Sequence, residues 1–270
     1  MFNYYLWEQA YLHIGIEALQ NNFIRLNEII SLNEKHDHFL HSEKLWNVMI
    51  DHEHEFSICA YNALPDKQFM RNVLPKILVR LNQCRPIANK EDLDQEFRDK
   101  LNAFWGEIFH QPKETFCLST MEDYKTFRHK SVLDNINTEN FWQWKDCLFE
   151  KIKFCDGVKE QIERMGSSRF FQQMVNRLVD LDNYNKTWTQ GTCTPNQING
   201  ATSLRVTNES DTTRNDKTLK SYRMFQLPNG ETEYFEMHIK AGELRIHFFP
   251  LEAEHTIYIG YIGSHLPLKK

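Results

Sequence analysis

The sequence predicts an α+β protein in which a helical N-terminal part is followed by a small antiparallel sheet. Six of the ten glycines lie at or beyond residue 191, so the first two thirds of the chain are poor in flexible backbone. The stretch 183–215 is rich in Asn, Thr, Gly and Ser, which is typical of loops around short strands. Near the start of the chain, apolar residues recur at helical spacing: Leu12, Ile16, Leu19, Phe23, Leu26 and Ile30.

Helical periodicity predicts the elements of the N-terminal part in order. It indicates a helix from Trp7 to about Leu32 and further helices over 43–64, 66–82, 90–109, 139–165 and 168–182. Pro75 predicts a break or a restart, and Asn89 or Lys90 ahead of Glu91-Asp92 predicts a helix start. We therefore expect a helical domain over 1–185 and an α+β domain over 186–270.

Four C-terminal segments have the alternation or the β-branched and aromatic content of strands. They are Ser221–Leu227, Thr232–Lys240, Glu243–Pro250 and Thr256–Ile262. Pro228-Asn229-Gly230 predicts a turn between the first two. If Ala241-Gly242 is a two-residue turn, the next two strands form a hairpin. The predicted opposite pairs are then Lys240 with Glu243, Ile239 with Leu244, His238 with Arg245, and Glu236 with His247.

This hairpin has one apolar face and one polar face. The apolar face carries Phe235, Met237, Ile239, Leu244, Ile246 and Phe248, and the other face gathers His238, Lys240, Arg245 and His247. RNA cleavage through the 2′-hydroxyl needs a base, an acid and cations for the phosphate charge. Histidine and arginine suit these tasks. The alternative is an ordinary solvent-exposed face of a sheet.

Composition and local motifs exclude several classes of function. The net charge of −5 argues against a general nucleic-acid coat but allows a small basic site. We expect no membrane span, because no apolar run approaches about 18 residues. The N-terminus lacks the basic region of a secretory signal, and six scattered cysteines without a CxxC pair favour a reducing compartment, so we expect a cytoplasmic protein.

Metal and cofactor signals are weak in this sequence. The histidines at His36, His38, His41, His52 and His54 include pairs spaced by two, which does not place both rings on one helix face. We therefore expect a solvated loop and helix end there, and no metal. Neither a GxxxxGK[ST] loop, a GxGxxG fingerprint nor a GxSxG elbow is present, and the Arg-x4–6-His spacing of helical HEPN ribonucleases is missing. No cofactor is expected.

The C-terminal third resembles a known layout. The segments that carry the resemblance are Asn208-Glu209-Ser210, Tyr222-Arg223, Phe235–Lys240, Arg245–Phe248 and Ile257–Leu266. They look like a group of bacterial proteins whose C-terminal layout is similar to the barnase/RelE-like ribonuclease toxins. Those toxins place a basic, histidine-bearing face on a small antiparallel sheet. The resemblance is strongest over about 203–267 and weaker from Phe154 to Trp188.

The resemblance implies metal-independent RNA cleavage in a toxin–antitoxin or phage-defence setting. By position, His238 is the principal acid or base, and Lys240 and Arg245 bind the scissile phosphate. Ser264 or His265 completes the site, with His247 as a further catalytic candidate. The candidates for orienting or binding the substrate are Arg223, Glu209 and Tyr258. The expected partners are RNA and an antitoxin or defence-complex protein. The chain is longer and more acidic than such toxins, which favours a regulated enzyme or a complex subunit.

Two other functions remain open from the sequence. One is a non-catalytic sensor subunit whose cationic face binds RNA, a nucleotide or a phosphorylated ligand. The other is a structural interaction protein in which the hairpin is an ordinary wet surface. The enzyme differs from the sensor because only the enzyme loses turnover and keeps binding when His238 is removed.

Overall fold

The computed structural model describes residues 2–32, 34–98, 101–106, 117–166 and 169–268. The chain divides into two compact units, Met1–Ser131 and Val132–Lys270. Each unit contains both helices and strands. The predicted mixture of helix and sheet is therefore confirmed.

Within its described residues, the first unit contains a four-stranded parallel sheet. The strand order is β2-β1-β3-β4, with β1 at Phe2–Leu6, β2 at Asp37–His41, β3 at Leu101–Trp105 and β4 at Cys117–Leu118. The prediction of an all-helical N-terminal part is wrong here. Every residue of β1 is buried, because a parallel strand is covered on both faces. Such a strand has no alternation for a sequence pattern to detect.

The helices of the first unit are shorter than predicted, although two of their boundaries were anticipated. Pro75 lies in the first turn of a helix that begins at Leu74, and the Asn89 side chain accepts a hydrogen bond from the Asp92 N–H at 2.8 Å. The predicted helix over 43–64 is reduced to a 3₁₀ turn at Leu45–Asn47, a short helix at Phe56–Ile58 and a π-helical turn at Cys59–Ala63. The helices are α1 Ile16–Ser31, α2 Phe56–Ile58, α3 Lys67–Asn72, α4 Leu74–Leu81, α5 Lys90–Glu96 and α6 Met121–Asn135.

A buried polar cluster joins α6 to strand β2 in the first unit. The Tyr124 hydroxyl donates a hydrogen bond to the Asp37 carboxylate at 2.7 Å, and the Arg128 guanidinium forms an ion pair with the same carboxylate. Burial raises the pKa of Asp37, and the Arg128 charge opposes that shift. This cluster fixes the start of an edge strand and is a structural feature.

Within the described part of the second unit, a five-stranded sheet has the order β5-β11-β10-β9-β6. Its neighbours are antiparallel except β5 and β11, which are parallel. The strands of this unit are β5 Ile152–Phe154, β6 Val206–Asn208, β7 Met224–Gln226, β8 Thr232–Tyr234, β9 Met237–Ala241, β10 Leu244–Leu251 and β11 Thr256–Gly263. Strands β7 and β8 pair separately as a hairpin. The helices are α7 Phe141–Leu148, α8 Val158–Glu163, α9 Arg169–Thr187, α10 Pro195–Ala201, α11 Asp211–Asn215 and α12 Lys217–Ser221.

Residues 132–185 belong to this second unit, whereas the predicted domain boundary lies at residue 185. Strand β5 pairs with β11 in the register Ile152 with Ile257. The Lys151 N–H donates to Asp182 Oδ1 at 2.8 Å, and Asn185 Nδ2 donates to the Lys151 carbonyl at 2.8 Å. These two hydrogen bonds connect helix α9 to the start of β5, the edge strand of the sheet. A boundary at 185 would separate strand β5 and helix α9 from strand β11, with which β5 pairs.

One face of the second sheet forms an apolar core. The side chains that share it are fully buried, and they are Ile239, Ile246, Phe248, Ile257 and Ile259. Helix α8 contacts β11 and helix α9 contacts β10. In the part of the chain that the structure describes, each helix is either too short or too polar to span a bilayer.

Gly260 in β11 allows two aromatic rings to pack directly on the strand. A Cβ atom there would lie 2.7 Å from ring atoms of Phe225 and Phe235. We expect Gly260→Ala to lower the free energy of unfolding by about 1–3 kcal/mol, because the rings must shift. The matched control is Gly200→Ala in α10, where an added Cβ meets nothing within 4 Å. That change should stabilise by about 0.5–1 kcal/mol. Denaturant unfolding followed by circular dichroism gives the unfolding free energy of both variants. Equal changes in the two variants would contradict the packing argument.

Candidate active site

The polar hairpin exists, but its register differs from the predicted one. Ala241 lies opposite Leu244 and His238 lies opposite His247, so the predicted pairing of His238 with Arg245 is wrong. The loop is Gly242-Glu243, and Gly242 has a φ of +62°. Primed hairpin turns need a positive φ at their first loop position, which glycine adopts without strain and alanine does not. Gly242 therefore occupies the first position of the loop. As a result, the partner of each β9 residue lies two positions further along β10 than predicted.

The faces of the hairpin are unchanged by this correction. His238 and Lys240 share one face with Arg245 and His247, while Ile239 and Ile246 point into the core. The corrected register places the two histidines directly opposite each other. Their rings stack with centroids 4.9 Å apart and an angle of 27° between the planes. The structure thus brings the two imidazoles closer than the predicted register does.

Strand β6 brings a carboxylate to the imidazoles. Thr207 lies opposite His238, and the Glu209 N–H donates to the Glu236 carbonyl at 3.0 Å, which extends the pairing beyond β6. Glu209 Oε1 then lies 3.8 Å from His238 Nδ1 and 3.9 Å from His247 Nδ1. Glu209 is 8% exposed. A carboxylate in this environment requires a cation or several hydrogen bonds.

Arg223 supplies that cation from the end of α12. Its Nε donates to Glu209 Oε1 at 2.7 Å, and its side chain is fully buried. Its Nη1 donates to the carbonyls of Leu219 and Pro267 at 2.9 and 3.1 Å. Its Nη2 makes no hydrogen bond among the described residues. Arg223 therefore holds the Glu209 carboxylate in place and also contacts the C-terminal segment 264–268.

Burial keeps both histidines neutral. It lowers the pKa of His238 to about 4, with Lys240 and Arg245 acting in the same direction and Glu209 opposing them. It lowers the pKa of His247 to about 3, and the neighbouring His238 adds to the shift. His238 is 5% exposed and His247 is 1% exposed. At pH 7 the site therefore holds two uncharged imidazoles beside a charged carboxylate.

The hydrogen bonds of the two rings differ. His247 Nδ1 lies 3.3 Å from the Phe235 carbonyl, which can only accept, so we assign the proton to Nδ1 and the lone pair to Nε2. His238 Nε2 lies 3.2 Å from Thr207 Oγ1. The Glu236 carbonyl favours the charged form of His238, but His238 Nδ1 makes no hydrogen bond of ordinary geometry among the described residues. This buried imidazole nitrogen lies 3.8 Å from the Glu209 carboxylate.

The other predicted site residues lie around this cluster or away from it. Lys240, Ser264 and His265 are exposed, and Arg245 Nη1 donates to the Gly242 and Leu244 carbonyls. His265 makes a small contribution to the lowered pKa of His247. Tyr258 does not join the group. Its hydroxyl donates to Glu254 at 3.2 Å and its ring packs with a core cluster.

Two residues of the site were not predicted. Thr207 contacts His238, and the Tyr234 hydroxyl is buried without a hydrogen-bond partner among the described residues. Burial raises the pKa of Tyr234, with further contributions from Glu209 and Glu236. Its side chain also lines a groove of about 580 Å³ with Asn208 and Glu236. The β-branched pair Val206-Thr207 ahead of Glu209 is the sequence signal for the strand that positions Thr207.

Glu209, His238 and His247 also form a possible metal-binding trio. One ligand atom from each lies within 4.8 Å of the other two. It is the one such trio of His, Cys, Asp or Glu side chains within the described residues. The histidine-rich stretch 36–54 therefore supplies no comparable group there.

Comparison of the chain with protein-family models, with curated proteins and with solved structures gave no match. The similarity of the C-terminal layout to barnase/RelE-like toxins therefore stays a prediction.

The neutral histidines predict a loss of stability in acid. Their pKa values lie below the ordinary value of 6.5, so their contribution is complete above pH 6.5 and is lost as pH falls toward 4. We expect roughly 1–2 kcal/mol lost per histidine between pH 7 and 5, measured by urea unfolding with excess chelator. His238→Gln should flatten the profile, and the exposed control His13→Gln should not. An unchanged slope in His238→Gln would contradict the assignment.

The ion pair between Glu209 and Arg223 predicts a second result. Arg223→Met leaves a buried carboxylate unpaired and should cost about 3–5 kcal/mol of unfolding free energy. Adding Glu209→Gln should recover a large part of that loss, because the remaining charge is then gone. Denaturant unfolding of the single and double variants tests this. A double variant that is no more stable than Arg223→Met would show that the pair is not the source of the loss.

Proposed function

We propose that the second unit is a metal-independent endoribonuclease of the toxin or phage-defence type. The observation that carries the proposal is the convergence of two imidazoles on an arginine-bound carboxylate, His238 and His247 on Glu209. This set can move protons and stabilise negative charge without a metal. Lys240 and Arg245 on the same face add positive charge for a phosphodiester.

The reaction would be transesterification. One imidazole, with His238 as the principal candidate, accepts the proton of the 2′-hydroxyl while that oxygen attacks phosphorus. The bond from phosphorus to the 5′-oxygen breaks, and a protonated group delivers a proton to that leaving oxygen. The products are a 2′,3′-cyclic phosphate and a 5′-hydroxyl. A bound phosphodiester anion beside the rings favours their protonated form, which supplies the acid.

In this structure the candidate site is closed to a substrate, because its two histidines are buried. His238 and His247 are almost inaccessible, so a phosphate reaches them only when neighbouring groups move. The exposed segment 264–268 is a candidate for that movement, because the Pro267 carbonyl contacts Arg223 through one hydrogen bond of 3.1 Å. A protein partner that moves this segment would regulate access. This fits a subunit of a toxin–antitoxin or defence complex.

The same burial favours a second candidate function, a non-catalytic sensor. In that case Lys240 and Arg245 bind RNA or a phosphorylated ligand at the surface, and the buried cluster only supports the hairpin. Both functions predict weaker binding when a surface cation is removed. They differ in turnover.

The deciding experiment incubates the full chain with total RNA and tRNA in excess EDTA. We expect cleavage that leaves 2′,3′-cyclic phosphate ends. His238→Gln should lower kcat by about 10²–10⁴ with RNA binding retained, because only a proton transfer is lost. Lys240→Ala should weaken binding, whereas its matched control Lys217→Ala, an exposed lysine on α12, should not. Binding without cleavage would favour the sensor. A chain that neither binds nor cleaves RNA would contradict both functions.

A further inference from the structure

The trio Glu209, His238 and His247 has the donor types of a zinc site. Two imidazoles and one carboxylate are the protein ligands of many Zn²⁺ centres that keep a fourth position open. Glu209 Oε1 lies 3.8 Å from one Nδ1 and 3.9 Å from the other. Ligands around a tetrahedral zinc ion lie about 3.3 Å apart. Each imidazole nitrogen therefore has to approach the carboxylate oxygen by about 0.5 Å. The two nitrogens, which lie within 4.8 Å of each other, have to reach the same spacing of about 3.3 Å.

His238 already has the hydrogen bonding expected of a zinc ligand. Its Nδ1 is buried, faces the carboxylate and makes no hydrogen bond in the part of the chain described. Its other nitrogen, Nε2, lies 3.2 Å from Thr207 Oγ1. Ligating histidines commonly donate their second ring N–H to such an outer partner, which fixes the tautomer. The Nδ1 atom is thus available to bind a metal, while the contact between Nε2 and Thr207 holds the ring in position.

The Glu209 carboxylate is also oriented by a hydrogen bond from a residue outside the trio. Arg223 donates to Glu209 Oε1 at 2.7 Å, in the way that ligating carboxylates are oriented by an outer hydrogen bond. Its positive charge competes with a bound cation for the same oxygen. Binding should consequently be weaker than at a structural zinc site. His247 would exchange its long 3.3 Å contact with the Phe235 carbonyl for the metal, and its proton would move to Nε2.

We propose that Glu209, His238 and His247 bind Zn²⁺ and that occupation of this site switches off the second unit. The metal takes the two imidazole nitrogens that face the carboxylate and fixes both rings. The inhibitory part rests on the proposed ribonuclease function, since a ring held by zinc cannot exchange a proton with RNA. The binding part does not rest on it.

The test titrates the chelator-treated full chain, without RNA, with Co²⁺ as a spectroscopic probe. Visible absorption reports the geometry of bound Co²⁺, and displacement by Zn²⁺ gives the affinity for zinc. We expect one equivalent to bind with a four- or five-coordinate spectrum. His247→Gln and Glu209→Gln should each weaken binding by more than the 10–100-fold typical of outer-partner changes. Thr207→Val, which keeps the trio, should weaken binding by about 10–100-fold.

The matched control is His52→Gln, an exposed histidine in the other unit that lies near His13. It should bind Co²⁺ like the wild type. Loss of binding in His52→Gln, with binding kept in Thr207→Val and Glu209→Gln, would overturn the assignment. The absence of Co²⁺ binding by the wild type would also overturn it, whether or not the buried-site variants fold.

The inhibitory part has its own measurement. Zn²⁺ added to the RNA-cleavage reaction should inhibit at the concentrations that displace Co²⁺, and EDTA should restore activity. A chain that binds Co²⁺ through the trio but never cleaves RNA would contradict the ribonuclease and leave the metal site standing. A chain that cleaves RNA and is unaffected by saturating Zn²⁺ would contradict the switch.

Discussion

The polar face of the C-terminal sheet depends on one buried ion pair, between Glu209 and Arg223. The pair joins three segments of the chain: the residue after β6, the second residue after α12, and the segment near Pro267. Neither charge could be buried alone without a large desolvation penalty. Each therefore fixes the position of the other. The geometry around the two histidines follows from where this carboxylate is held.

Closely stacked imidazoles are compatible with this arrangement because they are neutral. Two protonated rings 4.9 Å apart would repel each other inside a poorly solvated site. The site thus keeps uncharged nitrogens beside a carboxylate whose charge is balanced by Arg223. A proton and a divalent metal would compete for the same nitrogens, and a bound phosphate would favour the proton. The proposed acid–base chemistry and the proposed metal binding would therefore use the same nitrogens.

The sequence predicted the faces of the site better than its register or its surroundings. Period-two alternation placed His238, Lys240, Arg245 and His247 together, because alternation depends only on local spacing. The register failed because Gly242 rather than Ala241 begins the loop, a matter of one backbone angle. The pairing of Glu209 with Arg223 spans fourteen positions and two short helices, so no local pattern reveals it. Strand β1 was missed because residues buried on both faces do not alternate.

Strand β5 has a consequence for the boundaries of any autonomous piece of this protein. It covers one side of β11 by pairing Ile152 with Ile257 and Phe154 with Ile259. A fragment that starts at residue 186 would leave the backbone donors and acceptors of an apolar strand uncovered. Such an open edge is a template for association with another copy. The sheet that carries the histidines is therefore completed on this side by three residues encoded some eighty positions before its hairpin.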